Sequence, residues 1–167
     1  MIKPTNFLKG IAILLVSLSL VQCEKDDSAS KNSNSIKMND KDFVVVSASM
    51  VGVSIGEDGH TGISLVSGSE AQVNTLTIDV ESFTQATIEG SYAYPEESSK
   101  KLLDDWLTNY SIFDGTSMTS SNLESGEVSV TNNGGNNYTI DMSLKMADGV
   151  SFIGEYTGEF QVMFNNQ

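Results

Sequence analysis

The residue types that do chemistry are few in this chain and seldom neighbours. Its single histidine, His60, lies in Gly56-Glu57-Asp58-Gly59-His60-Thr61-Gly62. Glu57, Asp58 and His60 are metal-ligand types gathered on one short stretch. Transition-metal sites usually need three or four ligands converging from different directions, which one loop seldom provides. The stretch therefore reads as a glycine-rich hairpin loop with polar tips. Any serine–histidine–acid triad would have to recruit the same His60. Phosphate-cradling and dinucleotide glycine patterns are absent, and Gly134-Gly135 joins strands instead of opening a helix.

Carboxylate pairs fare no better. Asp104 and Asp105 are adjacent, and on a helix they would diverge by about 100°. Glu155 and Glu159 share one strand face but would stand about 13 Å apart, beyond the roughly 5 to 9.5 Å that glycoside hydrolysis uses. The chain reads as a non-catalytic protein.

Binding is the more credible activity. Tyr92, Tyr94, Trp106 and Tyr110 gather around a looser region between Tyr94 and Phe113. Exposed, these four rings would form a platform for sugars, with Asn109 and Asp105 bonding hydroxyls. The alternative is core packing, with Trp106 and Leu102 plugging one end of the fold. A calcium reading rests on Asn39, Asp40 and Asp42, hard oxygen ligands on one loop whose spacing matches no EF-hand.

The elements that must position these residues follow a period of two. Val150, Phe152, Gly154, Tyr156, Gly158, Phe160, Val162 and Phe164 alternate with polar residues, apart from Ile153 and Met163. Fifteen extended residues would reach about 50 Å, so a bend or bulge is expected at Gly154 and Gly158. Tyr138 to Met146 alternates as cleanly, and Ala147-Asp148-Gly149 is a hairpin turn between the two runs. Glu127 to Thr131 is a further strand, joined across residues 132–137. Upstream, Ile36 to Met38, Phe43 to Ser49, Ile63 to Val66, Val73 to Val80 and Ile88 to Tyr94 read as strands, with Asn39 to Asp42 turning the first hairpin. After Pro95 the period changes. Leu102, Leu103, Trp106 and Leu107 recur at helical spacing, which predicts one short helix before a strand at Tyr110 to Phe113. The fold class is all-β, an antiparallel β-sandwich of about eight to ten strands with one short helix; a lipocalin-like barrel is the alternative.

The N-terminus reads as a targeting segment. Lys3 and Lys9 precede an apolar run, and the 15 residues from Phe7 to Val21 fall short of the roughly 20 that span a bilayer. Leu20, Val21, Gln22 and Cys23 resemble the lipobox of bacterial lipoproteins, which implies cleavage before Cys23 and a diacylglycerol on its sulfur. Lys25, Asp26 and Asp27 resemble the surface-export signal of Bacteroidota lipoproteins. Both resemblances imply an outer membrane address facing the cell surface, with a periplasm-facing anchor as the alternative. Two or more acyl chains hold such an anchor stably.

Three segments follow: a signal peptide over 1–22, a lipidated flexible tether over 23–35, and one domain over 36–167. Without Lys3 and Lys9, seven lysines and no arginine face 22 acids, a net charge of −15. That surface suits neither nucleic acid nor anionic lipid. With Cys23 acylated, the domain holds no thiol for disulfides or metals. Its layout also resembles small lipoproteins of the Bacteroidota, in the Asn39 to Phe43 turn, the Gly90 to Tyr92 strand and the Ser125 to Val130 strand. The expected function is capture of a glycan or other nutrient at the cell surface. The alternative is a structural or protein-interaction lipoprotein.

Overall fold

A computed structural model describes residues 32–55, 58–69, 71–82 and 84–164. Cys23 and the Lys25-Asp26-Asp27 motif lie outside them. The described residues form thirteen strands: β1 (Ser33–Asn34), β2 (Lys37–Met38), β3 (Lys41–Asp42), β4 (Val45–Ile55), β5 (Asp58–Ser69), β6 (Gln72–Val80), β7 (Gly90–Tyr94), β8 (Lys101–Leu102), β9 (Asn109–Phe113), β10 (Met118–Gly134), β11 (Asn137–Met146), β12 (Ser151–Glu159) and β13 (Gln161–Phe164). The protein is all-β, and the described residues contain no helix, hence none that could cross a membrane.

The strands make one curled sheet, a half-barrel, in the order β13-β4-β5-β6-β9-β10-β11-β12-β2-β3. It is mixed, because β13 runs parallel to β4 and β7 parallel to β8. The 17-residue β10 is the corner piece. Met118 to Asn122 pair with β9, whereas Gly126 to Val130 lie between β7 and β11. A bulge between Leu123 and Ser125 turns the strand from one half to the other. Gly126 is needed beside it, since a Cβ there would sit 2.5 Å from the Ser143 carbonyl oxygen.

Alternation puts one face of each long strand into a single core. In β11, Tyr138, Ile140, Met142, Leu144 and Met146 point inward, while Asp141, Ser143 and Lys145 point out. Each such aliphatic side chain contributes about 1.5–3 kcal/mol by leaving water. Phe152 is wholly buried in that core, edge-on to Phe43 at 5.4 Å and to Tyr110 at 5.0 Å.

Several expectations need correction. The predicted helix after Pro95 does not form. Lys101 and Leu102 pair with β7 instead, and Leu103 is wholly buried, its N–H bonded to the Ala93 carbonyl. Asp104 then takes two backbone N–H groups into a turn, so the apolar residues at helical spacing share no face. The closing run breaks at Phe160, whose N–H goes to the Asn136 carbonyl, and not at the glycines. Gly154 instead admits the N-terminal segment, because a Cβ there would lie 2.5 Å from the Ser35 carbonyl oxygen. The expected tether accordingly ends sooner: Ser33 and Asn34 pair with Thr157 and Tyr156. Ser35 N–H is tied to the Glu155 carbonyl at 2.8 Å.

Candidate functional site

The site lies where β5 begins and β6 ends and the chain from Lys101 to Thr108 folds over them. In the β5–β6 pairing Thr61 stands opposite Val80 and Gly62 opposite Asp79. Thr61 and Val80 face the core, which leaves His60, Gly62 and Asp79 on the outer face. An outward carboxylate is ordinarily solvated, yet Asp79 is only 7% exposed. The covering segment explains it. Leu103 bridges to Val80, and the Asp104 N–H bonds the Asp79 carbonyl at 3.0 Å. Thr108, wholly buried, accepts the Asp79 N–H at 3.0 Å.

His60 and Asp79 meet across the hairpin, Nδ1 to Oδ1 at 2.8 Å. Asp104 joins them from above, and one ligand atom from each of the three side chains lies within 4.8 Å of the others. Burial raises the Asp79 carboxyl above its ordinary 3.8; the His60 hydrogen bond opposes this, and the Asp104 charge adds to it. His60 thus stands in a strand, opposite Val53, and not in a hairpin loop. Its partners are Asp79 and Asp104. Glu57 lies outside the described residues.

Asp104 also builds the turn above. Its Oδ1 accepts the N–H of Trp106 at 2.8 Å and of Leu107 at 2.7 Å, while its carbonyl accepts the Thr108 N–H at 3.1 Å. This Asx-type closure holds Trp106 out at the tip, 79% exposed. The Asp105 carboxylate near Tyr94 raises that phenol above its ordinary 10.0. Asn109 is close in sequence but turns its amide back to the Leu107 carbonyl at 2.8 Å.

Tyr92 is wholly buried, and Tyr110 does not belong to the platform either. It is buried against Phe152, and its hydroxyl donates to Asn74 Oδ1 at 3.1 Å. Trp106 is no core plug either; Leu103 fills that role. Of the four rings only Trp106 is exposed, and Tyr94 is half-buried against the core.

The Asn39-Asp40-Asp42 loop has a structural job. Asn39 and Asp40 carry φ of 48° and 67°, the two positive angles of a type I′ turn. Asn39 Oδ1 accepts the Ser151 N–H at 2.9 Å, and Asp42 is ion-paired with Lys37. Two of the three proposed calcium oxygens therefore already have partners.

Ser54, in Gly52-Val53-Ser54-Ile55-Gly56, has the spacing of a nucleophile elbow. It lies inside β4 opposite Gly59, whereas an elbow needs a strand-to-helix turn. A surface hollow of about 290 Å³ on the outer face of β7, β10, β11 and β12 is bordered by Lys100, Glu127, Ser129, Asp141 and Ile153; Lys100 and Glu127 are ion-paired there. No protein family, no curated protein and no solved structure matches this chain.

Proposed function

We propose that this protein is a lipid-anchored surface lipoprotein whose domain captures a glycan or another nutrient without transforming it. The observation that carries the reading is Trp106, the chain's only tryptophan, held 79% exposed on a hydrogen-bonded turn. A large apolar ring left in water is costly unless something covers it, and aromatic anchors on rigid turns are where binding energy concentrates. Tyr94 and Asp105 supply a second ring and hydrogen-bonding oxygens beside it. Lipidation at Cys23 would place this tip outside the outer membrane.

Thermal unfolding across a glycan panel tests the capture reading. A ligand present at 100 times its Kd stabilises by about 2.7 kcal/mol, which raises Tm by several degrees. The shift should disappear in Trp106→Ala. No shift with any glycan would remove the glycan from the reading. Fatty-acid labelling tests the anchor: incorporation in cells should be lost in Cys23→Ser, and labelling that persists there would exclude Cys23 as the acylated residue.

One observation favours the alternative, a protein-interaction role. Val73, Phe113 and Met118 are consecutive register partners on β6, β9 and β10, and all three are exposed. They form an apolar row away from the Trp106 tip. Crosslinking in cells from Met118 to an outer-membrane protein, with no glycan shift, would favour this role.

A further inference from the structure

We propose that His60, Asp79 and Asp104 bind one divalent cation of the zinc class. The proposal does not rest on the capture reading and stands or falls separately. Three segments distant in sequence deliver the ligands: β5, β6 and the chain following β8. Their ligand atoms lie within 4.8 Å of one another. In a tetrahedral zinc site, ligands at about 2.0–2.1 Å from the metal stand about 3.3 Å apart. A rotation of the part-exposed His60 ring is the kind of adjustment that would close the difference.

Charge points the same way. Two carboxylates stand together, one of them nearly buried, and among the described residues His60 is the only basic group bonded to either. Lys37, Lys100 and Lys145 are ion-paired elsewhere. Like charges in a desolvated place require a counter-charge. A single imidazole supplies at most one, and a divalent ion supplies two.

The carboxylates are positioned before any ion arrives. Asp104 Oδ1 is fixed by two backbone N–H groups, which leaves Oδ2 to coordinate. The Asp79 backbone is pinned by Thr108 and Asp104. Gly62 keeps the space beside its other oxygen free of a side chain, as even a Cβ there would lie 3.8 Å from Oδ2.

The donor set selects the ion. Calcium and magnesium take oxygen ligands, whereas an imidazole suits zinc and its neighbours. Three protein ligands leave a fourth position to water. An ion bound at Nδ1 would take the place of the hydrogen bond to Asp79, with the neutral imidazole carrying its one N–H on Nε2.

The chain carries its own reporters, one histidine and one tryptophan, and the Trp106 N–H is bonded to a proposed ligand. Zinc alone, titrated into tag-free protein, should bind one-to-one by calorimetry. It should shift the ring-nitrogen resonances of His60 and change the Trp106 emission. His60→Gln and Asp104→Asn should each weaken binding by about 100-fold or more. The amide side chain introduced by Asp104→Asn keeps the oxygen that closes the turn, so loss of binding with unchanged far-UV dichroism reports the lost charge. The double variant Asp40→Asn/Asp42→Asn should bind zinc as the wild type does. Absence of one-to-one binding, affinity unchanged in either ligand variant, or loss in the Asp40/Asp42 variant would each overturn the proposal. Calcium should leave the His60 resonances in place; a calcium shift equal to that of zinc would overturn the assigned class.

Discussion

Two turns in this protein close by the same chemistry and come to different ends. At Asp104, one carboxylate oxygen accepts the N–H groups of Trp106 and Leu107. At Asp114, one carboxylate oxygen accepts those of Thr116 and Ser117, at 2.9 Å and 2.8 Å. Local sequence decides both closures, since an aspartate can bond the backbone two and three residues ahead. What surrounds them differs. The Asp114 turn joins β9 to β10 in open solvent, and its carboxyl is lowered below 3.8 by the Ser117 and Thr116 N–H groups. The Asp104 turn lies over a buried aspartate and the chain's one histidine. The same device is a hairpin in one place and the roof of a candidate site in the other.

The largest expected break in that comparison is Thr108→Val. It keeps the shape but leaves the buried Asp79 N–H without its acceptor, at a cost of about 1–3 kcal/mol. Denaturant unfolding should show it, and zinc binding should weaken in parallel. A variant as stable as wild type would mean that Thr108 does not hold the roof down.

Asn39→Ala should cost roughly 1–2 kcal/mol, because alanine tolerates a left-handed backbone poorly and cannot accept from Ser151. Zinc affinity should stay at the wild-type value, separating a structural turn from the ligand-bearing one. A smaller effect is expected at Asp114. Its folded pKa lies below the ordinary 3.8, so its contribution is present above that value and is lost as pH falls through the lower folded value. Unfolding midpoints followed from pH 5 toward 2 (about the range in which carboxylates titrate) should therefore fall less steeply in Asp114→Asn. Equal slopes would remove Asp114 from the acid response. Smallest of all, Trp106→Ala should alter stability by no more than about 0.5 kcal/mol, as exposed positions usually do. A larger loss in the melting curve would show that the ring supports the fold as well as the surface.

The closing meander was legible because every second residue from Tyr138 to Met146, and again from Val150, is apolar or glycine, and one face of those strands is buried. The first third of β10 was not. Met118 to Ser121 is Ser- and Thr-rich and largely exposed, so no alternation marks it, and the pattern shows a strand only from Ser125 or Glu127 onward. Spacing misled at Leu102, Leu103, Trp106 and Leu107. Those positions suit a helix face, but pairing with β7 and burial of Leu103 outweighed a local preference. The aromatic tip was half legible: Trp106 could be singled out, but its exposure depended on which neighbour filled the core. His60 and Asp79 were the hardest to join. Their meeting depends on the β5–β6 register, in which Ser69 faces Gln72, and a one-residue slip would have turned the two to opposite faces.

The pairing of β13 with β4 sets an order of assembly. Residues 161–164 lie beside residues 49–52, so the edge of the first long strand has no neighbour on that side until almost all of the described chain has emerged. An N-terminal fragment presents that edge to whatever passes, and open strand edges invite pairing with other chains. Completion is therefore a late, long-range event, slow by topology. A chain stopped a few residues short would leave residues 49–52 of β4 without their neighbour on that side.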